Sequence, residues 1–316
     1  MARDRSEEMR GRFGSKLGAV VLIGLLAAIP ARAMPPAQRL PSAILVYPLI
    51  VVEGGGSTTD TLVELVNLSS REQRVRCFYV SGETCGGFGF FVTLTPNQPM
   101  AWLASRGTFN MATFTAVPPF SQTGELKCAV IPSETGLEAH NAIQGRAIVF
   151  EAGGQTFGYG AVGFERLTPG DFSNIAQLDG VIYAQCPEEM HFVILASDPG
   201  DPATESELVL ATCSEDLQNL IPTSTTVQIF VVNEFEQVLS ASTSVTCFDW
   251  RRLDQISHIF TRATLGTDTG HVTIRGVQLP VLGIVLDRFL AAPSVPAGAA
   301  NEPAMLGGRS ATIKFP

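Results

Sequence analysis

Thr123-Gly124-Glu125-Leu126-Lys127-Cys128-Ala129-Val130-Ile131 sets Leu126, Cys128 and Val130 at alternate positions against Glu125 and Lys127. A period of two belongs to extended backbone, whose successive side chains point to opposite faces, so this segment reads as a strand buried on one side. The alternation recurs where Val75, Cys77 and Tyr79 oppose Arg74 and Arg76, and where Val272 and Ile274 oppose His271, Thr273 and Arg275. Runs 43–52, 61–68 and 73–80 are rich in β-branched and aromatic residues and bounded by turn formers, which is strand chemistry. Helical signals are confined to Ser214–Ile221, which opens with a capping serine and two acids, and to Arg251–Ile259. The expected fold class is all-β.

Three short matches in the same chain order suggest an internal duplication. Val75-Arg76-Cys77-Phe78 is echoed by Val245-Thr246-Cys247-Phe248, Thr123–Cys128 by Thr269–Ile274, and Gly160–Arg166 by Gly283–Arg288. They predict two tandem antiparallel β-sandwich domains of immunoglobulin-like architecture, 42–167 and 188–290, each of ordinary domain size. A linker, 168–187, joins them, and the Ala-, Pro- and Gly-rich tail 291–316 is expected to be poorly ordered. Cys77, Trp102 and Cys128 follow the immunoglobulin order, but Leu126 stands where that family has tyrosine, so the expectation is of the architecture and not the family.

Residues 1–33 have the layout of a secretory signal: Arg3, Arg5, Arg10, Arg12 and Lys16, then an apolar run from Leu17 to Ile29, then Pro30 and Ala31-Arg32-Ala33. The run is shorter than the ~20 residues that span a bilayer, which favours cleavage after Ala33 over a retained anchor. No cysteine follows the run and no arginine pair precedes it, which argues against lipid anchoring and a twin-arginine route. Cleavage leaves 15 basic against 27 acidic residues. Such a chain repels phosphate backbones and anionic lipid, so nucleic acid and membrane surfaces are not the expected partners.

All six cysteines lie beyond the proposed cut, and an even count in an oxidising compartment reads as disulfides, although cysteine also packs as a small apolar residue. Six cysteines allow 15 pairings; Cys186 with Cys213 and Cys77 with Cys128 are preferred.

Gly158-Tyr159-Gly160-Ala161-Val162-Gly163 spells a dinucleotide fingerprint, but no helix follows whose amides could hold a pyrophosphate. It reads as a glycine-rich strand. His140, His191, His258 and His271 have no metal-site spacing, no G-x-S-x-G elbow occurs, and the sequon-like Asn67-Leu68-Ser69 ends a strand. Asp198, Asp201, Glu205 and Glu207 crowd one loop and could hold calcium, the one cofactor considered; Pro-Gly-Asp-Pro is also good turn chemistry without an ion. From Gly107 to Gly124 the chain carries Phe109, Met111, Phe114 and Phe120, with Trp102 just before. An apolar loop of that length is either a binding surface or a cover for a sheet edge.

The opening Tyr47-Pro48-Leu49-Ile50, the Val-x-Cys-Phe strands, the Leu94-Thr95-Pro96-Asn97-Gln98-Pro99 turn before Trp102, and Phe235-Glu236-Gln237 carry a resemblance. Over most of the mature chain the sequence resembles a recurring group of exported β-rich proteins of environmental Gram-negative bacteria. The resemblance implies export and a β fold, and supplies no site residues. The expected function is that of a non-enzymatic binding or surface-structural protein, secreted, periplasmic or at the cell surface, with a protein or glycan partner. The alternative is a secreted hydrolase of polysaccharide or another polymer, for which Glu64 with Glu72, or Asp249 with Asp254, would be the acids.

Overall fold

The computed structural model describes residues 41–53, 59–110, 115–131, 140–152, 154–169, 174–198, 204–289 and 297–316. The proposed signal segment lies outside them. Strands dominate, as the alternation predicts. In the first half these are β1 (Ile44–Val51), β2 (Asp60–Asn67), β3 (Gln73–Ser81), β4 (Gly87–Leu94), β5 (Pro99–Leu103), β6 (Thr108–Asn110), β7 (Thr115–Val117), β8 (Thr123–Ile131), β9 (Ile143–Phe150), β10 (Thr156–Gly160) and β11 (Val162–Phe164). Antiparallel pairing arranges them as a five-stranded sheet, β11-β1-β8-β3-β4, and a four-stranded sheet, β10-β9-β2-β5. Leu45, Tyr47, Cys77, Tyr79 and Leu126 from the first sheet share one buried cluster with Val63, Leu65, Trp102, Ala147 and Val149 from the second. Pro48 cannot donate to the ladder, and the β1–β8 register shifts between Tyr47 and Ile50. The neighbouring Leu49 N–H donates to the Tyr159 hydroxyl instead (3.3 Å).

After β12 (Ile175–Leu178), the second half contains β13 (Glu189–Leu195), β14 (Thr204–Thr212), β15 (Glu215–Asp216), β16 (Ser224–Asn233), β17 (Val238–Thr246), β18 (Phe248–Arg252), β19 (Thr269–Gly276), β20 (Val281–Phe289), β21 (Ala297–Asn301) and β22 (Ala304–Leu306). Their order is β21-β20-β14-β18-β17-β16-β19-β13-β22. β17 and β18 are joined by a single pair, Thr246 with Phe248, around Cys247, which sits at φ 51°. The left-handed residue turns the chain sharply, so this order is two runs bent at one corner. The runs are β22-β13-β19-β16-β17 and β21-β20-β14-β18, and they repeat the first half strand for strand.

Registers agree as well as order. Cys77 faces Cys128 across β3 and β8, and Ile229 faces Ile274 across β16 and β19. Of the three sequence matches, Thr123–Cys128 with Thr269–Ile274 therefore joins corresponding strands. The other two do not: Val75–Phe78 lies in β3 and its echo at the β17–β18 corner, while Gly160–Arg166 crosses β10 and β11 and its echo lies in β20. Short, mostly apolar strings recur in any β-rich chain, and without the pairing pattern these two matched by composition. The strand order also departs from an immunoglobulin domain, in which the first two strands share a sheet; here β1 and β2 lie in different sheets.

Three further expectations are corrected. Residues 297–301 and 304–306 of the tail are β21 and β22, and β23 (Ala311–Lys314) follows. The Ala/Gly composition permits close approach: a Cβ on Gly298 would lie 2.4 Å from the Phe157 ring. The span 168–187 is not a bare linker. It supplies β12 and the buried Tyr183, Ala184 and Cys186, and β12-β23-β15 form a small sheet. Leu178, Ile313 and Phe315 from this layer pack on Ile44, Val46, Phe78 and Ala129, the outward face of the first half's five-stranded sheet. Ser214–Ile221 is not helical but holds β15 and a turn, whereas Arg251–Ile259 does include a short helix, α1 (Leu253–Ile256).

That layer overturns the solvent face assigned to β8. Glu125 and Lys127 are fully buried, and Lys127 Nζ lies 2.7 Å from Glu125 and 2.6 Å from Glu215. The two halves also share a core, since Val209, Ile284 and Leu286 join the first half's cluster while Leu208, Leu210 and Val285 face their own. Burial on both faces explains why β14 carries the unbroken apolar run Leu208–Ala211 and β20 is apolar on both faces from Val281 to Leu286.

Candidate functional site

Two residues of the proposed aromatic surface, Trp102 and Phe120, are buried. Trp102 is buried on β5 and its indole N–H donates to the Tyr79 hydroxyl (2.8 Å), while Phe120 stacks on the Tyr79 ring with centroids 4.6 Å apart. A buried indole needs such a partner, and this one locks Trp102 into the core. Phe109 is 62 % exposed; Met111 and Phe114 lie outside the described residues. β6 and β7 pair antiparallel, and the Thr93 N–H of β4 donates to Thr115 Oγ1 of β7 (3.0 Å), an edge-covering arrangement.

The acidic loop divides similarly. Asp201 lies outside the described residues and Asp198 is the last described residue before it. Glu205 and Glu207 project from β14 toward the first half and are answered by guanidinium groups. Arg288 Nη2 donates to Glu207 (2.8 Å) and Glu151 (2.6 Å), Arg252 lies 3.3 Å from Glu205, and Trp250 Nε1 donates to Glu207 (3.0 Å). Burial pushes the Glu205 carboxyl up, and Arg252 pulls it back. Burial alone would lower the Arg288 pKa, but its hydrogen bonds to Glu151 and Glu207 raise it. Arginine-paired carboxylates are poor calcium ligands, so for this pair the calcium expectation is corrected to an ion-pair network between the halves. Among the described residues no group of three or more His, Cys, Asp or Glu could hold a metal ion.

All six cysteines are bridged. Cys77–Cys128 ties adjacent strands and Cys186–Cys213 fastens the segment before β13 to the end of β14, the two preferred pairs. Cys85–Cys247, not singled out from sequence, links the β3–β4 turn to the β17–β18 corner across the halves. Gly158–Gly163 runs through β10 and β11 from one sheet to the other, with no helix after it. Asn67 is buried and its amide donates to the carbonyls of Arg71 and Thr95.

Three of the four candidate hydrolytic acids are held by arginines. Arg146 Nη2 donates to Glu64 (3.2 Å), Arg251 Nε to Asp249 (2.9 Å) and Arg252 Nη2 to Asp254 (2.6 Å), while Glu72 is exposed between β2 and β3. The Glu64–Arg146 pair borders a groove of about 510 Å³ with Pro99, Met100 and Gln144, on the outer face of the four-stranded sheet.

The two halves differ most on the outward face of their five-stranded sheets. In the first half it is covered by β12-β23-β15. In the second half the corresponding face is open: Val193 and Val238 are 58 % and 65 % exposed, with Phe230 between them at 39 %. Register places Val193, His271, Val232 and Val238 in one row and His191, Thr273, Phe230 and Ser240 in the next. His191 and His271 stack with centroids 5.3 Å apart, and His191 Nδ1 lies 3.2 Å from Thr273 Oγ1. Sequence reading placed His271 outward but missed His191 beside it. The signal was the pairing of β13 with β19, which spacing along the chain does not reveal.

No family model matches the chain, and no curated protein does. Among solved structures, the crystal structure of Thermotoga maritima 1070 is similar at 10 % identity, covering 39 % of this chain and 97 % of that one with a TM-score of 0.29. PBSX exported protein XepA is similar at 12 % identity over 78 % of this chain and 85 % of that one, with a TM-score of 0.20. Likenesses this distant bear on neither fold nor function. No helix among the described residues is long and apolar enough to cross a membrane.

Proposed function

We propose that the protein is an exported, non-enzymatic binding protein built from two duplicated β-sandwiches of immunoglobulin-like layering, and that it engages a protein partner through the open sheet face of its second half. The observation that carries this reading is the contrast between corresponding faces: its own layer covers Ile44, Val46, Phe78 and Ala129 on one, while the other leaves Val193, Phe230 and Val238 in solvent. An exposed apolar face on a folded domain marks an interaction surface. The two most exposed of these, Val193 and Val238, are aliphatic, which suits a protein better than a glycan, whose sugar rings stack on aromatic faces. Three disulfides support folding in an oxidising compartment.

The test has two arms. Fractionation of the host with N-terminal sequencing should find the chain outside the cytoplasm, beginning at Met34. Crosslinking in intact cells should then give a discrete adduct that Val193→Asp with Phe230→Asp abolishes without loss of secretion. A cytoplasmic protein, or an adduct untouched by the double substitution, sinks the reading.

A further inference from the structure

Arg74 and Arg76 stand two apart on β3, on the outward face of the first half's five-stranded sheet, where the covering layer gives out. Phe78 and Val80 on the same face are buried, whereas Arg74 and Arg76 are half-buried. Phe91, directly opposite Arg76 on β4, is 41 % exposed. Both guanidinium groups lie over its ring, 4.5 Å from the centroid for Arg74 and 5.3 Å for Arg76. Neither meets a carboxylate at ion-pair distance among the described residues, although acids outnumber bases in the chain and Arg146, Arg252, Arg275 and Arg288 each hold one. Arg76 Nε is buried without a hydrogen-bond partner. Burial, and then the charge of Arg74, lowers the Arg76 pKa, in keeping with the lack of a facing carboxylate among the described residues.

We propose that Arg74, Arg76 and Phe91 form a binding site for a small tetrahedral oxyanion of the phosphate or sulfate class. Each guanidinium offers a planar fork of donors, and the shared ring fixes both forks, so little side-chain freedom is lost on binding. A carboxylate presents one edge of two oxygens, while a tetrahedral oxyanion presents several edges and can be gripped by two forks at once. The net negative charge of the whole chain penalises a polyanion that must lie along the surface, and a small free ion escapes most of that repulsion. The corresponding positions of the second half, Thr226, Gln228 and Ser242, carry no charge, so the site belongs to the first half alone.

Calorimetric titration of the full chain with sodium phosphate and with sodium sulfate, in an amine buffer at low salt, tests the site. Saturable one-site binding is expected, weakened about ten-fold or more by Arg74→Gln with Arg76→Gln, with thermal unfolding in anion-free buffer unchanged. Arg76→Lys keeps the charge without the fork and should weaken binding several-fold; it serves as the decisive variant should the double substitution fail to fold. Absence of saturation, equal binding by the variants, or binding of acetate as tight as that of phosphate overturns the proposal. Binding of dextran sulfate that free phosphate does not displace overturns the assignment to a small ion.

Discussion

Lys127 Nζ and Glu215 Oε2 lie 2.6 Å apart, although 88 residues separate them and both side chains are buried. With Glu125 they make one lysine and two carboxyl groups buried between the first half's five-stranded sheet and the layer that covers it. Removing one member of such a group leaves the others buried and uncompensated, at a cost of about 3–5 kcal/mol. Lys127→Met should therefore lower stability by about that amount in urea unfolding at neutral pH. Replacing all three with apolar residues of similar size should restore most of the loss, and a Lys127→Met variant as stable as the wild type would show that the triad contributes nothing.

The same triad predicts a pH dependence. Burial, and then the charge of Glu215, pushes the Glu125 carboxyl well above its usual range, with Lys127 acting in the opposite direction. A group whose folded pKa is raised contributes stability that is complete below its unfolded pKa and is lost as pH rises through the folded one. The folding free energy should fall as pH rises from the ordinary carboxylate range into that window. Glu125→Gln should flatten this slope, and an unchanged slope in the variant would assign it to another group.

The triad also shows where sequence reading stops. Alternation in β8 revealed a strand and its inner face, because period two is a property of the backbone. It could not reveal that Ile313, Phe315 and Leu178, from segments read as tail and linker, come back to cover the outer face. Glu125 and Lys127 looked solvated because their partner, Glu215, lies in a stretch whose serine and acids resemble a helix start. Repetition was legible in Thr123–Cys128 and Thr269–Ile274, yet the second copy was cut short at residue 290, since β21 and β22 are built of alanine, glycine and other small or flexible residues. Carboxylates of the acidic loop were visible as charges, but their arginine partners arrive from β20 and β18 only through pairing.

Cys85 and Cys247 join the halves over a sequence separation of 162 residues, and both half-cystines adopt positive φ, 56° and 51°. Phe248 beside this bridge packs on Gly82, where a Cβ would come within 2.3 Å of the ring. Constraint of the unfolded chain by a bridge is typically worth about 2–4 kcal/mol. Cys85→Ser with Cys247→Ser should cost that much under oxidising conditions and leave the other two bridges intact by mass spectrometry. A variant with an unchanged denaturation midpoint would mean that the shared apolar contact holds the halves without the bridge.

Asp216 fastens β15 to the C-terminal strand β23, accepting a hydrogen bond from Lys314 Nζ (2.9 Å). That bond first, and those from Asn219 next, lower its pKa to about 2. For a depressed pKa the stabilisation is present above the unfolded value and is lost as pH falls toward about 2. Amides of β23 should therefore exchange faster as pH drops through that interval than the intrinsic acid dependence of exchange requires. Asp216→Asn should remove the excess, and its persistence would place the acid-sensitive contact elsewhere.

Gly145 on β9 sits beneath the Tyr47 hydroxyl, which passes between strands to donate to the Glu64 carbonyl (2.9 Å). A Cβ at position 145 would lie 1.8 Å from that oxygen and 2.8 Å from the same carbonyl, so alanine fits only if the buried tyrosine moves. Overpacking of this kind costs about 1–3 kcal/mol. Gly145→Ala should lower the melting temperature accordingly and loosen the groove lined by Glu64 and Arg146. Because the closest clash is with a hydroxyl, the substitution should cost less when introduced beside Tyr47→Phe than alone, a coupling that a double-mutant cycle reads directly. Strict additivity would show that the crowding is with the strand backbone and not with the tyrosine.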